Sequence, residues 1–192
     1  MFNTADPEDI LNGKITDVYF ERTIRILKKK GINPLVRAEF FAKTLPDEWK
    51  WAIFAGLDEA MYLMKHLPVK VRAMTEGTVF HPYEPVMEIE GKYQDFCVYE
   101  TAILGLICQA SGVATKAARF KKLAGERPVI SFGARRMHPI LASTGRLECH
   151  FLWPWPISSM PPVRLSRPNL RPCTGAARHF PSSQNPLLSA AA

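Results

Sequence analysis

The sequence is poor in cysteine, and its cysteines are not placed for a joint task. Cys97, Cys108, Cys149 and Cys173 are the four in 192 residues. None forms a CxxC pair and no close His/Cys cluster is present, which argues against a metal site. Cys97 and Cys108 lie in an apolar helical pattern and are expected to be buried thiols. Long apolar runs are missing too. None reaches the ~20 residues of a bilayer-spanning helix, so no membrane association is expected. The opening MFNTADPEDI is polar and acidic, unlike a secretory leader. The cytoplasm is the expected compartment.

Acidic residues are in short supply, with 18 Asp+Glu against 25 Lys+Arg and a net charge of +7. The imbalance is uneven. Residues 1–142 carry 20 Lys+Arg and 17 Asp+Glu, a net of +3, and residues 143–192 carry five Arg and one Glu, Glu148. No basic stripe with interleaved aromatics is visible along the chain, so a nucleic-acid partner is not expected. Lys28, Lys29 and Lys30 form one basic triplet. It falls at a helix end, where cations complement the helix dipole.

Lysine is absent from the last 50 residues, which hold eight of the 16 prolines and seven of the nine serines. The stretch FLWPWPISSMPPVRL is apolar but too interrupted by proline to be a helix. Residues 143–192 are expected to be an irregular tail.

What is present before the tail reads as mixed α and β. Asp6-Pro7 caps a short helix that Gly13 closes. Thr16 is expected to cap a second helix, ended by Gly31, with Val18, Phe20, Ile24 and Leu27 as its buried stripe. Residues 34–43 alternate as a strand. Residues 56–67 have helical spacing, and 69–74 alternate again. TEGTVFHPYEPVMEIEGKY reads as two short strands around a turn, placed at edges or strand ends by Pro82 and Pro85. Glu76 is expected to make a local hydrogen bond in that turn. Asp95 is expected to cap a helix over 96–109, with Gly105 marking close packing and Gly112 breaking the run. A basic amphipathic helix follows over 115–123, carrying Thr115, Lys116 and Arg119 on an exposed face. A strand over 128–132 ends at Gly133.

The segments TDVYFERT (16–23), EGTVFHPYEP (76–85), YETAILGLICQASGVATKAAR (99–119) and SFGARRMHP (131–139) together resemble nicotinate phosphoribosyltransferase. The resemblance covers roughly residues 2–142, and the archaeal and related bacterial branch, with its RRMHP sequence, is most similar. It implies an α+β N-terminal domain (1–110) leading into the start of an incomplete (β/α) barrel (111–142). The family joins nicotinate to phosphoribosyl pyrophosphate, giving nicotinate mononucleotide and pyrophosphate with coupled ATP hydrolysis and Mg²⁺. A homodimer with shared active sites is implied. Quinolinate or nicotinamide as the accepted ring is the alternative substrate reading.

Five residues carry the implied substrate site. Tyr19 matches an aromatic that reaches across the dimer to stack on the pyridine ring, which suits a flat electron-poor heterocycle. Phe132 matches the second stacking ring. Arg135 and Arg136 follow Gly133, and their planar forks suit carboxylate and phosphate. His138 reads equally as a group that binds phosphate or orients Arg135 and as a surface-loop histidine. No catalytic acid or base is assigned, because transfer through an oxocarbenium-like centre rests on positioning and electrostatics. The family's phosphorylated-histidine loop, its acidic Mg²⁺ motif and its glycine-rich phosphate loop find no counterpart here. The change at residue 143 therefore reads as a frameshift-like junction. The alternative to an enzyme is a non-catalytic remnant that pairs with intact subunits.

Overall fold

The computed structural model describes residues 4–130, His138 and residues 171–172. Phe132, Arg135 and Arg136 lie outside the described residues. So does nearly all of the tail.

The chain starts with two helices. In α1 (Pro7–Leu11), the Asp6 side chain accepts a hydrogen bond from the Glu8 backbone N–H at 2.9 Å. Pro7 occupies the first turn, where its missing N–H is harmless. In helix α2 (Val18–Lys30) the N-cap position falls on Asp17 rather than on the expected Thr16, and the Asp17 side chain makes no capping bond. The reason is tertiary. The Asp17 backbone N–H donates to Thr101 Oγ1 (3.2 Å), and the Thr101 hydroxyl donates to Asp17 Oδ2 (3.0 Å). Gly31 ends α2 in the left-handed region at φ 65°, a conformation glycine adopts without a Cβ clash. The expected buried stripe narrows to Phe20, because α2 lies on the surface and Val18 is 58% exposed.

Four antiparallel pairings build the sheets. Strands β1 (Leu35–Phe40), β3 (Lys70–Ala73) and β5 (Met87–Lys92) form one sheet with β5 between the other two. A two-residue strand, β6 (Arg171–Pro172), pairs with β3 on its free edge, so residues 171–172 depart from the irregular tail expected of 143–192. Strands β2 (Ala52–Ile53) and β4 (Val79–Phe80) form a separate pair. The two strands expected around the HPYEP turn therefore belong to different sheets. The second of them, β5, is central rather than an edge. Both prolines precede Met87, so none interrupts its ladder.

Alternation along β5 sorts its faces. Met87, Ile89 and Gly91 face the core, and Glu88 and Glu90 face outward. There Glu90 pairs with Arg37 (3.3 Å) and Lys70 (3.4 Å), and Glu88 with Arg72 (3.5 Å). Helix α3 (Leu57–Met64) covers the inner face with Ala60, Leu63 and Met64 buried.

A short helix, α4 (Tyr93–Phe96), starts after Lys92, so Asp95 lies inside it and is not a cap. One tight turn, Cys97–Tyr99, then leads into α5 (Glu100–Ala124), 25 residues without a break. The sequence predicts two helices here. Glycine at 112 weakens a helix by about 1 kcal/mol, and packing against β2 outweighs that. The Ile53 N–H donates to Thr115 Oγ1 (2.8 Å), and the Ala55 N–H donates to Ser111 Oγ (3.0 Å). Four residues of helix rise about 6 Å, and two residues of strand about 6.6 Å. The two hydroxyls thus match every second amide of the strand. Ala110, Ala114 and Ala118 are buried beside them and let the strand lie close.

Three further expectations change. Gly105 makes no close contact, since a Cβ there would meet nothing within 4 Å. Close approach occurs instead at Gly56. Cys97 is buried, but Cys108 is exposed on the outer face of α5. By length and composition Tyr93–Ala124 would suffice to cross a bilayer, although no such run was expected. Here Ile103, Ile107 and the alanine stripe are buried within the domain. Pro128–Ile130 is not a strand, and the remainder of the expected 128–132 strand lies outside the described residues.

Candidate functional site

Tyr19 is the second residue of α2 and is 52% exposed. Its ring packs on Phe20 with centroids 4.1 Å apart and planes at 40°. Phe20 is buried, so it fixes one face of Tyr19 and leaves the other open. The Asp17–Thr101 bonds pin this end of α2 to the start of α5. Tyr99 Oη adds a bond to the Leu11 carbonyl at 3.3 Å.

The surroundings of Tyr19 are acidic and phenolic. Burial raises its pKa from 10.0, and Glu100 and Asp17 add to the rise. Burial, then Asp17, raises Glu100 from 4.5. Burial pushes Tyr93 from 10.0 to about 12, helped by Cys97, Glu100 and Tyr19. It also pushes the Cys97 thiol from 9.0 to about 11. Tyr93 and Cys97 thus hold protons more tightly in the fold than in the unfolded chain. Their contribution is present below the unfolded values of 9.0 and 10.0 and is lost as pH rises through about 11 and 12. Thermal melting temperatures are expected to fall across that alkaline window. Tyr93→Phe is expected to flatten the fall, and an identical slope in the variant would contradict the assignment.

Of the five site residues read from the sequence, Tyr19 and His138 are described, and His138 is exposed. Phe132, Arg135 and Arg136 fall outside the described residues. Among the described residues, no group of three or more His, Cys, Asp or Glu is arranged to hold a metal ion.

Sequence reasoning missed a second cluster. Trp49 and Trp51 precede β2, and alternation sends both indoles to one side while Lys50 is exposed. The guanidinium of Arg119 lies 4.0 Å from the Trp49 ring centroid and 4.3 Å from that of Trp51. Its Nη2 donates to the Trp51 carbonyl at 3.1 Å. Lys116 and Lys122 reach over the same two rings at 5.4 and 5.8 Å. Thr115, read with them as an exposed basic face, is instead buried and structural. The WKW triplet and the Lys116–Arg119–Lys122 spacing are signals in the sequence, but nothing there joins them.

Residues 17–111 match the model of the quinolinate phosphoribosyl transferase N-terminal domain. Nicotinate phosphoribosyltransferase of Bacillus subtilis is 29% identical over 158 residues, covering 67% of this chain and 32% of the relative. The Homo sapiens enzyme is 34% identical over 99 residues, covering 51% and 18%. The chain thus carries a quinolinate phosphoribosyl transferase N-terminal domain, and its curated relatives are named nicotinate phosphoribosyltransferases. Among solved structures, nicotinate-nucleotide pyrophosphorylase from Pyrococcus furiosus is 49% identical with a TM-score of 0.75, covering 77% of this chain and 38% of that one. Human nicotinic acid phosphoribosyltransferase shares the fold at a TM-score of 0.60 and 24% identity, covering 71% and 34%. The chain spans about a third of the length of the curated relatives it matches. The mixed α/β domain fits that family's N-terminal domain.

Proposed function

We propose that this chain supplies the N-terminal domain and the start of the barrel of a nicotinate phosphoribosyltransferase. In that reading, nicotinate and phosphoribosyl pyrophosphate become nicotinate mononucleotide and pyrophosphate. The observation that carries it is Tyr19. An exposed ring with one face backed by Phe20 stands at a helix start, free to stack on a flat heterocycle. Arg135 and Arg136 then take the ring carboxylate and the donor phosphate through bidentate hydrogen bonds. The electrophilic ribosyl carbon is stabilised by position and electrostatics, without a protein base.

The layout of α5 supports a site shared between two copies. Tyr19, on α2, is held beside the N-terminal end of α5 by the Asp17–Thr101 bonds, and α5, at 25 residues, is about 37 Å long. The segment carrying Phe132 and Arg135 continues from its C-terminal end, where Lys121 Nζ is bonded to the Gly125 and Arg127 carbonyls at 2.8 and 3.2 Å. Two copies bring the opposite ends together more readily than one. Val18, Tyr19 and Ile26 leave α2 with exposed apolar side chains at a spacing of seven or eight residues, suited to a partner. The described residues offer no donor set that fits Mg²⁺. ATP and Mg²⁺ are implied for the whole enzyme by the resemblance alone.

Quinolinate is the second reading, favoured by the name of the matched domain. Against it stand Asp17 and Glu100, the charged neighbours of Tyr19. A ring with two carboxylates would meet more repulsion there than a ring with one. Equilibrium dialysis of labelled nicotinate and quinolinate against the full chain tests both, with a coupled assay for nicotinate mononucleotide. Nicotinate is expected to bind preferentially, and Arg135→Ala is expected to weaken it roughly 10- to 100-fold. Tyr19→Ala is expected to weaken it less. Undiminished nicotinate binding in Arg135→Ala, or a preference for quinolinate, would refute the proposal.

A further inference from the structure

We propose that Lys116, Arg119 and Lys122, propped on Trp49 and Trp51, form an anion site for a small phosphate-bearing ligand. The site is separate from the residues assigned to nicotinate and does not rest on that reading.

The argument starts from charge. The three cations stand at i, i+3 and i+6 on α5, a spacing at which like charges repel. Among the described residues none of the three has a carboxylate partner. The indoles ease this crowding, since ring faces attract cations. They also orient the guanidinium. Arg119 is held against both indoles, its guanidinium 4.0 and 4.3 Å from the Trp49 and Trp51 ring centroids, and its planar fork carries the hydrogen-bond donors. One donor is taken by the Trp51 carbonyl. Arg119 Nε is buried without an acceptor, and a buried donor left unmet calls for a partner. A cluster of three positive charges around two indoles fits an anion that accepts several bonds at once, as phosphate oxygens do.

The loop before Trp49 adds a second observation. Asp47 and Glu48 both have positive φ, 52° and 54°. Consecutive left-handed non-glycine residues are strained, and such strain concentrates at ligand clamps. Here it turns the chain so that both acids are exposed and Trp49 packs against α5.

The test is a titration of the full chain with inorganic pyrophosphate at constant ionic strength, followed by tryptophan fluorescence. A saturable change is expected, and it should persist in Arg135→Ala. The paired exposed changes Lys116→Ala and Lys122→Ala should weaken it roughly tenfold or more, with helix content by circular dichroism unchanged. Arg119→Lys should weaken it as well, because an ammonium cannot reproduce the planar fork. No saturable response, or equal affinity in the Lys116/Lys122 double variant, would overturn the proposal. Loss on Arg135→Ala alone would overturn it too, while supporting the nicotinate site. A single-stranded oligonucleotide is titrated in parallel, and saturation by it where pyrophosphate gives none would overturn the small-ligand assignment.

Discussion

Alanine at Gly56 is expected to destabilise the fold by about 2–5 kcal/mol, from left-handed strain of ~1–2 kcal/mol and overpacking of ~1–3 kcal/mol. Gly56 has φ +90°, and an added Cβ would lie 2.8 Å from the Leu106 carbonyl oxygen and 2.9 Å from Ala110 Cβ. Neither neighbour yields easily. One is helix backbone, and the other belongs to the alanine stripe on which β2 rests. Gly105 is the internal control. It lies one turn away on the same helix, with open space where a Cβ would go. Alanine there is expected to add about 0.5–1 kcal/mol, because glycine inside a helix is entropically unfavourable. Denaturant midpoints should therefore move in opposite directions for the two substitutions. A shared direction would mean that the contact between residue 56 and α5 is not as described.

The second large effect is at Glu76. Its carboxylate accepts the backbone N–H groups of Gly56 at 2.7 Å and Leu57 at 2.9 Å. These amides open α3, where no earlier carbonyl is available to them and the helix dipole favours negative charge. Burial raises the Glu76 carboxyl above its ordinary 4.5, and the two amides oppose that rise. Glu76→Ala leaves both amides unmet in a half-buried place and is expected to lose about 2–4 kcal/mol. Glu76→Gln keeps one oxygen acceptor and should lose roughly half as much. Hydrogen exchange at Gly56 and Leu57 reads the same event locally. Unchanged protection of those amides in Glu76→Ala would contradict the cap.

Glu76 also marks the limit of what the sequence makes legible. A glutamate before a glycine in a turn reads as a local bond. Its true partners are 19 and 20 residues earlier in the chain. Elements governed by near neighbours were readable. Examples are the Asp6-Pro7 start of α1, the Gly31 stop of α2 behind three lysines, and the alternation that makes β1 and β5. Elements decided by distant contacts were not. Gly112 looks like a breaker until Ser111 and Thr115 are bonded to β2. The N-cap position falls on Asp17 rather than Thr16, and the Asp17 carboxylate is taken by distant Thr101.

The candidate site divides the same way. Tyr19 was readable from TDVY and lies on the surface, as its proposed contact with a ring requires. The clamp around Arg119 was not readable, because its aromatic partners come 68 and 70 positions earlier and only folding brings them together.

The pairing of Ser111 and Thr115 with β2 works as a ruler. Either hydroxyl can be lost with local consequences. Inserting or deleting one residue between them would swing the second by about 100° around the axis. Every later side chain on α5 would turn with it, including Arg119 on its way to the tryptophans. A change of length here is therefore expected to cost more than a substitution, because the spacing of the strand beside it sets the register.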